Sequence, residues 1–179
     1  MANQVTRNVR CRNWRCYSFA LLLLGLMPAF ASVEDAGTLL TISQNGSVLG
    51  TFSLATLESS GAVAVTVEDD SGRSSEYTGV PMATLLESVG VALGKSVSGE
   101  RLVEFVMVRA ADGYRVLFSL AETDPIFRQR ALLVCYRKNG GPLPAKEGPL
   151  RMVVADEKRH ARWVRQVTAI ELGRVDEAR

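Results

Sequence analysis

The chain has 179 residues, of which 47% are apolar and 22% are charged, and these values fit one globular domain and exclude a large multidomain architecture. Four of the 21 basic residues and none of the 19 acidic residues precede Ser32. The remaining chain has 17 basic against 19 acidic residues, so we expect no nucleic-acid partner.

The first 31 residues have the three-part pattern of a secretory signal peptide. Arginines occur up to Arg15, an apolar stretch spans residues 19–27, and Ala29-Phe30-Ala31 is a small-residue cleavage site. The apolar stretch is shorter than the roughly 20 residues of a membrane-spanning helix. We therefore predict residues 1–31 as a cleaved signal peptide and the mature protein as exported, with an uncleaved anchor as the alternative.

Removal of this leader changes the cysteine count. Cys11 and Cys16 precede the cleavage site, so the mature chain has only Cys135. A single cysteine excludes an intramolecular disulfide and a CxxC metal site. Cys135 lies in the apolar run 131–136, where we expect a small buried side chain rather than a catalytic thiol.

The N-terminal half of the mature chain predicts a hairpin, a further strand and a helix. Strands at residues 38–44 and 48–52 flank the turn Asn45-Gly46, and we assign residues 32–59 to this hairpin and a short helix. A strand at 62–68 should be followed by an exposed polar loop at 69–75. Pro81 fits the first turn of a helix. Its buried face would carry Met82, Leu85, Leu86 and Val89.

The C-terminal half reads mostly as strands. We predict strands at residues 102–110, 114–120, 131–136, 150–154 and 164–172, with a turn at 111–113 and a frayed tail at 173–179. The glycines and prolines of residues 139–144 argue against regular structure there. About eight strands with few helices predict an α+β domain of mixed β-sheets and short helices, with its main part at residues 60–172.

The densest group of polar and aromatic residues follows Arg151 and continues through residues 156–165. The guanidinium of Arg162 offers a planar donor fork for phosphate or carbonyl oxygen, and the indole of Trp163 offers a stacking face. A strand beginning near Ala161 would place these two side chains on opposite faces of the sheet. Next to a loop, the alternation of side chains is less strict, and both would then reach one ligand. The alternative is a solvated charge run with Trp163 in the core.

Other candidate residues lie in turns. Tyr114 and Asp112 belong to the turn at 111–113, and Glu122 is a carboxylate near Pro125. His160 is the only histidine, which excludes a zinc site of His and Cys ligands, and no GxSxG nucleophile motif is present. We therefore assign no catalytic residue and no metal ligand.

Five segments, taken in order, resemble the sulfite oxidase-type molybdopterin-binding domain. They are residues 77–86 (YTGVPMATLL), 112–114 (DGY), 139–143 (NGGPL), 148–151 (GPLR) and 162–167 (RWVRQV) followed by Ile170. The resemblance spans roughly residues 60–172. It implies a single mixed α+β domain with a pterin pocket formed by loops at one side of the sheet.

One departure from the family pattern concerns the metal. Enzymes of this family ligate molybdenum with a cysteine before the Tyr-x-Gly-Val-Pro-like stretch, and residues 63–73 contain no cysteine. A thiolate anchors the metal and tunes its electronics. The leader also lacks the twin arginines that export of a folded molybdenum protein calls for. We therefore expect a pterin without molybdenum.

In size and leader, the chain resembles a small periplasmic, cysteine-lacking branch of this family, which implies a periplasmic location. That resemblance implies a non-enzymatic sensor that binds a reduced or molybdopterin-like pterin and contacts the periplasmic domain of a membrane receptor, a diguanylate cyclase or phosphodiesterase, that controls cyclic di-GMP. Pterin-binding residues carried over by position are Arg151, Arg162, Trp163 and Tyr114, with His160 and Arg165 as further candidates. The chemistry of the pterin 2-amino and N3–H edge adds Glu122 or Asp112 as its carboxylate partner.

Two other functions remain open at this point. One is a molybdopterin-dependent oxidoreductase of the sulfite oxidase type with an atypical metal site. The other is an interaction domain that has kept the fold and lost the ligand.

Overall fold

The structure is a computed structural model that describes residues 37–68, 72–129, 132–157 and 159–175. The predicted signal peptide at residues 1–31 and the end of the predicted tail, residues 176–179, lie outside the described residues. Within the described ranges, no helix has both the length and the apolar character needed to span a membrane.

Strands account for most of the regular structure in these ranges. The α-helices are α1 (Leu54–Ser59), α2 (Met82–Ser88) and α3 (Leu120–Thr123), and short 3-10 helices occur at Gly94–Ser96, Gly99–Val103 and His160–Arg162. The strands are β1 (Thr38–Gln44), β2 (Ser47–Ser53), β3 (Val63–Glu68), β4 (Ser74–Pro81), β5 (Glu104–Ala110), β6 (Arg115–Ser119), β7 (Leu132–Lys138), β8 (Gly141–Pro142), β9 (Arg151–Val154) and β10 (Val167–Arg174). These elements confirm the predicted α+β class with mixed β-sheets and short helices.

The first sheet has the strand order β2-β1-β10-β5-β6. Strands β1 and β2 form the predicted hairpin, and its turn residues Asn45 and Gly46 have φ angles of 50° and 80°. Positive φ at both central positions is what a two-residue turn between strands of right-handed twist requires. Because β1 pairs in parallel with β10, the N-terminal hairpin and the last strand belong to the same sheet.

The second sheet has the order β3-β4-β7-β8, and β9 also pairs with β7. Gly79 of β4 lies so close to β7 that a Cβ atom there would be 2.4 Å from the carbonyl oxygen of Val134 and 2.5 Å from the Cα atom of Cys135. Only a residue without a side chain allows this approach of the two backbones.

The apolar side chains of both sheets and of α2 form one core cluster. Met82, Leu85 and Leu86 are fully buried, and Val89 packs partly buried against the cluster, as the periodicity of α2 predicts. Cys135 is also fully buried, which confirms the expectation of a core side chain. Trp163 belongs to this core as well, with 4% of its surface exposed.

Several predicted elements need correction. The loop prediction for residues 69–75 was wrong at its end, because Ser74 and Ser75 begin β4. Pairing with β3 and β7 stabilises this strand, whose sequence lacks an apolar strand pattern. Residues 139–144 include β8, since Gly141 and Pro142 pair with the end of β7 at a sheet edge, where proline is tolerated.

Two predicted strands also begin later than expected. The predicted strand at 102–110 begins at Glu104, because Gly99–Val103 is a 3-10 helix. The strand predicted at 164–172 begins at Val167 and continues to Arg174, so two residues of the predicted tail are in β10. The 3-10 helix His160–Arg162 replaces the strand that we expected to begin near Ala161, so the alternation argument for Arg162 and Trp163 does not apply.

Candidate functional site

A cavity of about 630 Å³, which we call the basic cavity, lies where the β5–β6 turn meets β4, the end of β7, the start of β9 and the segment 160–165. A volume of this size is typical of small-molecule sites. Six of the eight predicted binding residues line it: Arg151, Trp163, Tyr114, Asp112, His160 and Arg165.

Aromatic rings form one wall of the basic cavity. The imidazole of His160 stacks on the indole of Trp163 with ring centroids 3.7 Å apart and an interplanar angle of 22°. The indole Nε1 donates a hydrogen bond to the carbonyl oxygen of Val154 at 3.0 Å, and Tyr77 meets the indole edge-on at 6.0 Å. His160 stacks on the indole, the Arg151 guanidinium lies 5.3 Å from the indole centroid, and Trp163 is 4% exposed, so Trp163 lines the cavity as a core residue and offers little of the free stacking face expected from the sequence.

An ion-pair cluster forms the floor. The carboxylate of Glu147 binds Arg151 and accepts a hydrogen bond from Lys138 Nζ at 3.4 Å, while Arg151 donates to the Tyr77 hydroxyl at 3.2 Å. Burial favours a raised pKa for Glu147, but the Arg151 guanidinium and the Lys138 ammonium outweigh burial and lower that pKa. Burial similarly opposes the charge of Lys138, but Tyr77 and Glu147 raise its pKa. Glu147 and Lys138 are therefore both charged at neutral pH.

Tyr114 crosses the mouth of the cavity. The backbone N–H of Tyr114 donates to Asp112 Oδ1 at 2.9 Å, which closes an Asx turn at the tip of the β5–β6 hairpin. The Tyr114 hydroxyl then donates to the carbonyl oxygen of Ala161 at 2.7 Å. The hairpin of one sheet is thus connected to the 3-10 helix that carries His160.

The charge of the lining is positive. Arg73, Lys138, Arg151 and Arg165 face the basic cavity together with two carboxylates, Asp112 and Glu147. Glu147 is engaged by two of these cations, whereas Asp112 lies exposed at the rim. The arrangement suits a flat ligand rich in oxygen acceptors or carrying negative charge, with Asp112 as the accessible acceptor for ligand N–H groups.

The other two predicted residues, Arg162 and Glu122, line a different cavity of about 370 Å³ together with Glu157 and Arg128. Arg162 NH1 donates to Glu122 Oε1 at 3.1 Å, its NH2 binds Glu157, and its guanidinium lies 4.6 Å from the centroid of the Phe118 ring. Burial opposes the charge of Arg162, but the two carboxylates raise its pKa. Arg162 therefore binds carboxylates of its own chain and does not line the basic cavity.

Glu122 has a structural role in α3. Its Oε2 accepts from the backbone N–H of Ser119 at 2.9 Å, while the backbone N–H of Glu122 donates to Ser119 Oγ at 3.2 Å, which is a complete capping box. Burial raises the pKa of Glu122, but the hydrogen bonds from Ser119 and Arg162 outweigh it and lower the pKa. The spacing Ser119-x-x-Glu122 is the sequence signal of this capping box, and our sequence analysis missed it.

Sequence analysis also missed five lining residues: Arg73, Tyr77, Lys138, Glu147 and Ala161. Tyr77 opens the segment 77–86 that carries the family resemblance, so a signal was present for it. Glu147 had none, because it reaches the cavity only through the loop before the bend at Gly148-Pro149, whose course depends on packing.

The described lining combines aromatic and cationic side chains and contains no cysteine. The ring wall and the donors of Arg151 and Arg165 match a flat heterocycle with oxygen acceptors. Cys135, by contrast, is buried in β7, does not line the basic cavity, and burial raises the pKa of its thiol. Among the described residues, no group of three or more His, Cys, Asp and Glu side chains is placed to hold a metal ion. The described lining thus offers no thiolate ligand for molybdenum.

Comparisons with known proteins show which fold this chain shares. A search of curated proteins found no match. The fold is similar to that in the crystal structure of the sulfane dehydrogenase SoxCD from Paracoccus pantotrophus, with a TM-score of 0.55 and 17% sequence identity over 74% of this chain. This chain spans 37% of the length of that chain.

A family model described as the oxidoreductase molybdopterin binding domain matches residues 33–178. This match and the SoxCD likeness confirm the predicted sulfite oxidase-like fold. They give no support to our expectation that molybdenum is absent. On this match, the chain belongs to the oxidoreductase molybdopterin binding domain family.

Proposed function

We propose that this protein is an exported, non-enzymatic pterin-binding protein that signals through the periplasmic domain of a membrane receptor controlling cyclic di-GMP. The observation that carries the proposal is the basic cavity, which joins the His160–Trp163 stack and an excess of cationic side chains in a lining without a cysteine. Family membership supports a pterin as the ligand class. The leader pattern of residues 1–31 supports export.

In this proposal the pterin lies against the aromatic wall and its edges meet named polar groups. Arg165 and Arg151 face the ring carbonyl or an anionic substituent, and Asp112 accepts from the 2-amino and N3–H edge. Tyr114 closes the mouth through its hydrogen bond to Ala161. No step in this function requires electron transfer.

The alternative is a molybdopterin-dependent oxidoreductase with an atypical metal site. The match to a family of oxidoreductase domains favours it. Since Cys135 is outside the basic cavity, the metal would have to take its ligands from the pterin, solvent or other side chains. This alternative predicts stoichiometric molybdenum and turnover with a redox dye.

One purification separates these functions. The full chain is expressed in a bacterium that makes molybdopterin, the exported form is purified without oxygen, and the same sample is assayed for released pterin and for molybdenum. Pterin without molybdenum supports the sensor, and pterin with stoichiometric molybdenum and dye reduction supports the oxidoreductase. A sample with neither, which also fails to bind added neopterin or tetrahydroneopterin, contradicts both functions and favours an interaction domain.

A matched pair of variants tests whether the basic cavity is the pterin site. Arg165 is an exposed lining residue, and Arg115 is an exposed arginine of β6 outside the lining. Arg165→Ala should weaken neopterin binding about tenfold, as expected for loss of a charge-assisted hydrogen bond, while Arg115→Ala should not. Equal neopterin affinities for the two variants would contradict the assignment of the basic cavity as the pterin site. The partner is tested by co-purification with the periplasmic domain of a diguanylate cyclase or phosphodiesterase receptor from the same organism, with pterin present, and reproducible failure to bind contradicts that part of the proposal.

A further inference from the structure

The 3-10 helix His160–Arg162 and the next residue, Trp163, stand between two cavities. His160, Ala161 and Trp163 line the basic cavity, whereas Arg162 lines the cavity that contains Glu122. Successive side chains of a 3-10 helix differ in direction by about 120°, which explains how neighbouring residues face different cavities. A shift of this short segment on one side therefore moves groups on the other side.

Arg162 is the second member of a row of alternating charges that we call the charge chain: Glu157, Arg162, Glu122, Arg128 and Asp156. Glu122 Oε1 lies 3.1 Å from Arg162 NH1 and 3.8 Å from Arg128 NH1. The outer pairs, Arg162 with Glu157 and Arg128 with Asp156, are also in contact. The charge chain thus joins the 3-10 helix to α3 and to the residues after α3.

Through Arg128 the charge chain reaches the loop 124–128. The buried carboxylate of Asp124 accepts hydrogen bonds from the backbone N–H groups of Gly94 and of Ile126, the latter at 2.8 Å. The N–H groups of Phe127 and Arg128 donate to the Asp124 carbonyl oxygen at 3.0 and 3.1 Å. This bonding holds the loop while Ile126 and Phe127 remain 65% and 52% exposed.

We propose that Arg162 is a positioning residue. It holds the 3-10 helix against the charge chain, which places the His160–Trp163 wall of the basic cavity, and it couples ligand binding there to the order of the loop 124–128. The proposal rests on the proposed ligand binding in the basic cavity. Coupling between two sites is reciprocal, so a ligand that is favoured by an intact charge chain must stabilise that chain by the same factor.

Affinity measurements test the positioning role. Trp163 is the only tryptophan after the predicted cleavage site, so its fluorescence reports on the cavity wall in protein that begins at Ser32. Arg162→Met and Glu122→Gln should each weaken neopterin binding about tenfold at a temperature where both variants are folded. Glu122 does not line the basic cavity, so its effect would not arise from direct ligand contact. Arg162→Lys, which keeps the charge, should restore part of the affinity.

The matched control is Glu58→Gln. Glu58 pairs with Arg137, its side chain is 38% exposed against 37% for Glu122, and it lies outside the basic cavity. Its loss should leave the neopterin affinity within twofold. If the role of Arg162 is purely structural, Arg162→Met lowers the melting temperature and leaves the neopterin affinity unchanged. That result overturns the proposal.

Hydrogen exchange tests the coupling in the reverse direction. Neopterin should slow exchange at the amides of residues 126–128 in the wild-type chain and should have no such effect in Arg162→Met. Bound neopterin with unchanged exchange there contradicts the coupling while leaving the proposed function intact.

If the wild-type chain binds no pterin, the proposed function fails. The positioning role of Arg162 can then be tested on the ligand-free protein. Near-ultraviolet circular dichroism of the His160–Trp163 stack should then change in Arg162→Met and not in Glu58→Gln. Identical spectra for the two variants would overturn the inference.

Discussion

The imidazole of His160 stacks on the indole of Trp163 at a centroid distance of 3.7 Å and an interplanar angle of 22°. Both residues line the basic cavity, and Trp163 also belongs to the core. A variant of Trp163 therefore changes both the core and the proposed ligand site, so its stability and its ligand affinity must be measured together.

Two substitutions at Trp163 should separate its hydrogen bond from its volume. Trp163→Phe removes the indole donor to the carbonyl oxygen of Val154, which keeps its hydrogen bond from the backbone N–H of Glu157 at 3.2 Å, and should cost about 0.5–1.5 kcal/mol of unfolding free energy. Trp163→Ala also leaves a cavity and should cost about 3–5 kcal/mol. Urea denaturation measures both values. Equal losses for the two variants would show that packing of the indole contributes little.

Glu147→Gln should lower stability at neutral pH and reduce the sensitivity of the protein to acid. The variant weakens charge-assisted bonds to Arg151 and Lys138, and we expect a loss of about 1–3 kcal/mol. Because the pKa of Glu147 is lowered in the folded state, its contribution is present above the unfolded value near 4.5 and is lost as pH falls through the folded pKa. Melting temperatures of wild type and variant should therefore converge as the pH falls below about 4.5 and through the lowered pKa of Glu147 in the folded protein.

The comparison for this pH series is Glu58→Gln, which removes a more exposed carboxylate that pairs with Arg137. A difference in melting temperature between wild type and Glu147→Gln that stayed constant from neutral to acidic pH would contradict the assigned role of Glu147.

Gly79→Ala should be far more harmful than Gly173→Ala. A Cβ atom at position 79 meets the backbone of β7, which cannot move without breaking the pairing of β4 with β7. We expect a loss of about 3 kcal/mol or more, or an insoluble protein. At position 173 the added atom meets the ring of Phe105, which can turn aside. Similar stabilities for the two variants would contradict the close backbone approach at Gly79.

Cys135 should react slowly with thiol reagents in the native protein. Its side chain is fully buried and burial raises the pKa of its thiol, so little thiolate is accessible. In protein that begins at Ser32, Ellman's reagent should label Cys135 about a thousandfold more slowly under native conditions than in denaturant, because access requires opening of the core. Rapid native labelling would place the thiol at the surface.

Local signals predicted much of the fold. Asn45-Gly46 determined the first hairpin because few residue pairs accept positive φ at both positions, and the predicted strand 38–44 has the bounds of β1. The spacing of Met82, Leu85 and Leu86 predicted the buried face of α2. Strand β4 was missed because its pairing with β3 and β7, rather than its own pattern, makes it a strand.

The sequence by itself determined the α+β class, the leader pattern, the single cysteine after the predicted cleavage site and the cluster of residues from Arg151 to Arg165 in which a ligand site was expected. The tertiary structure alone decided which of these side chains share a cavity. Arg162 and Trp163 are adjacent in the chain, yet a 3-10 turn sends one to Glu122 and the other to Tyr77. Glu147 and Tyr77 are 70 residues apart and meet at 3.5 Å. Such contacts depend on how two sheets pack, because side-chain direction in a turn follows the partners available in space rather than a sequence period.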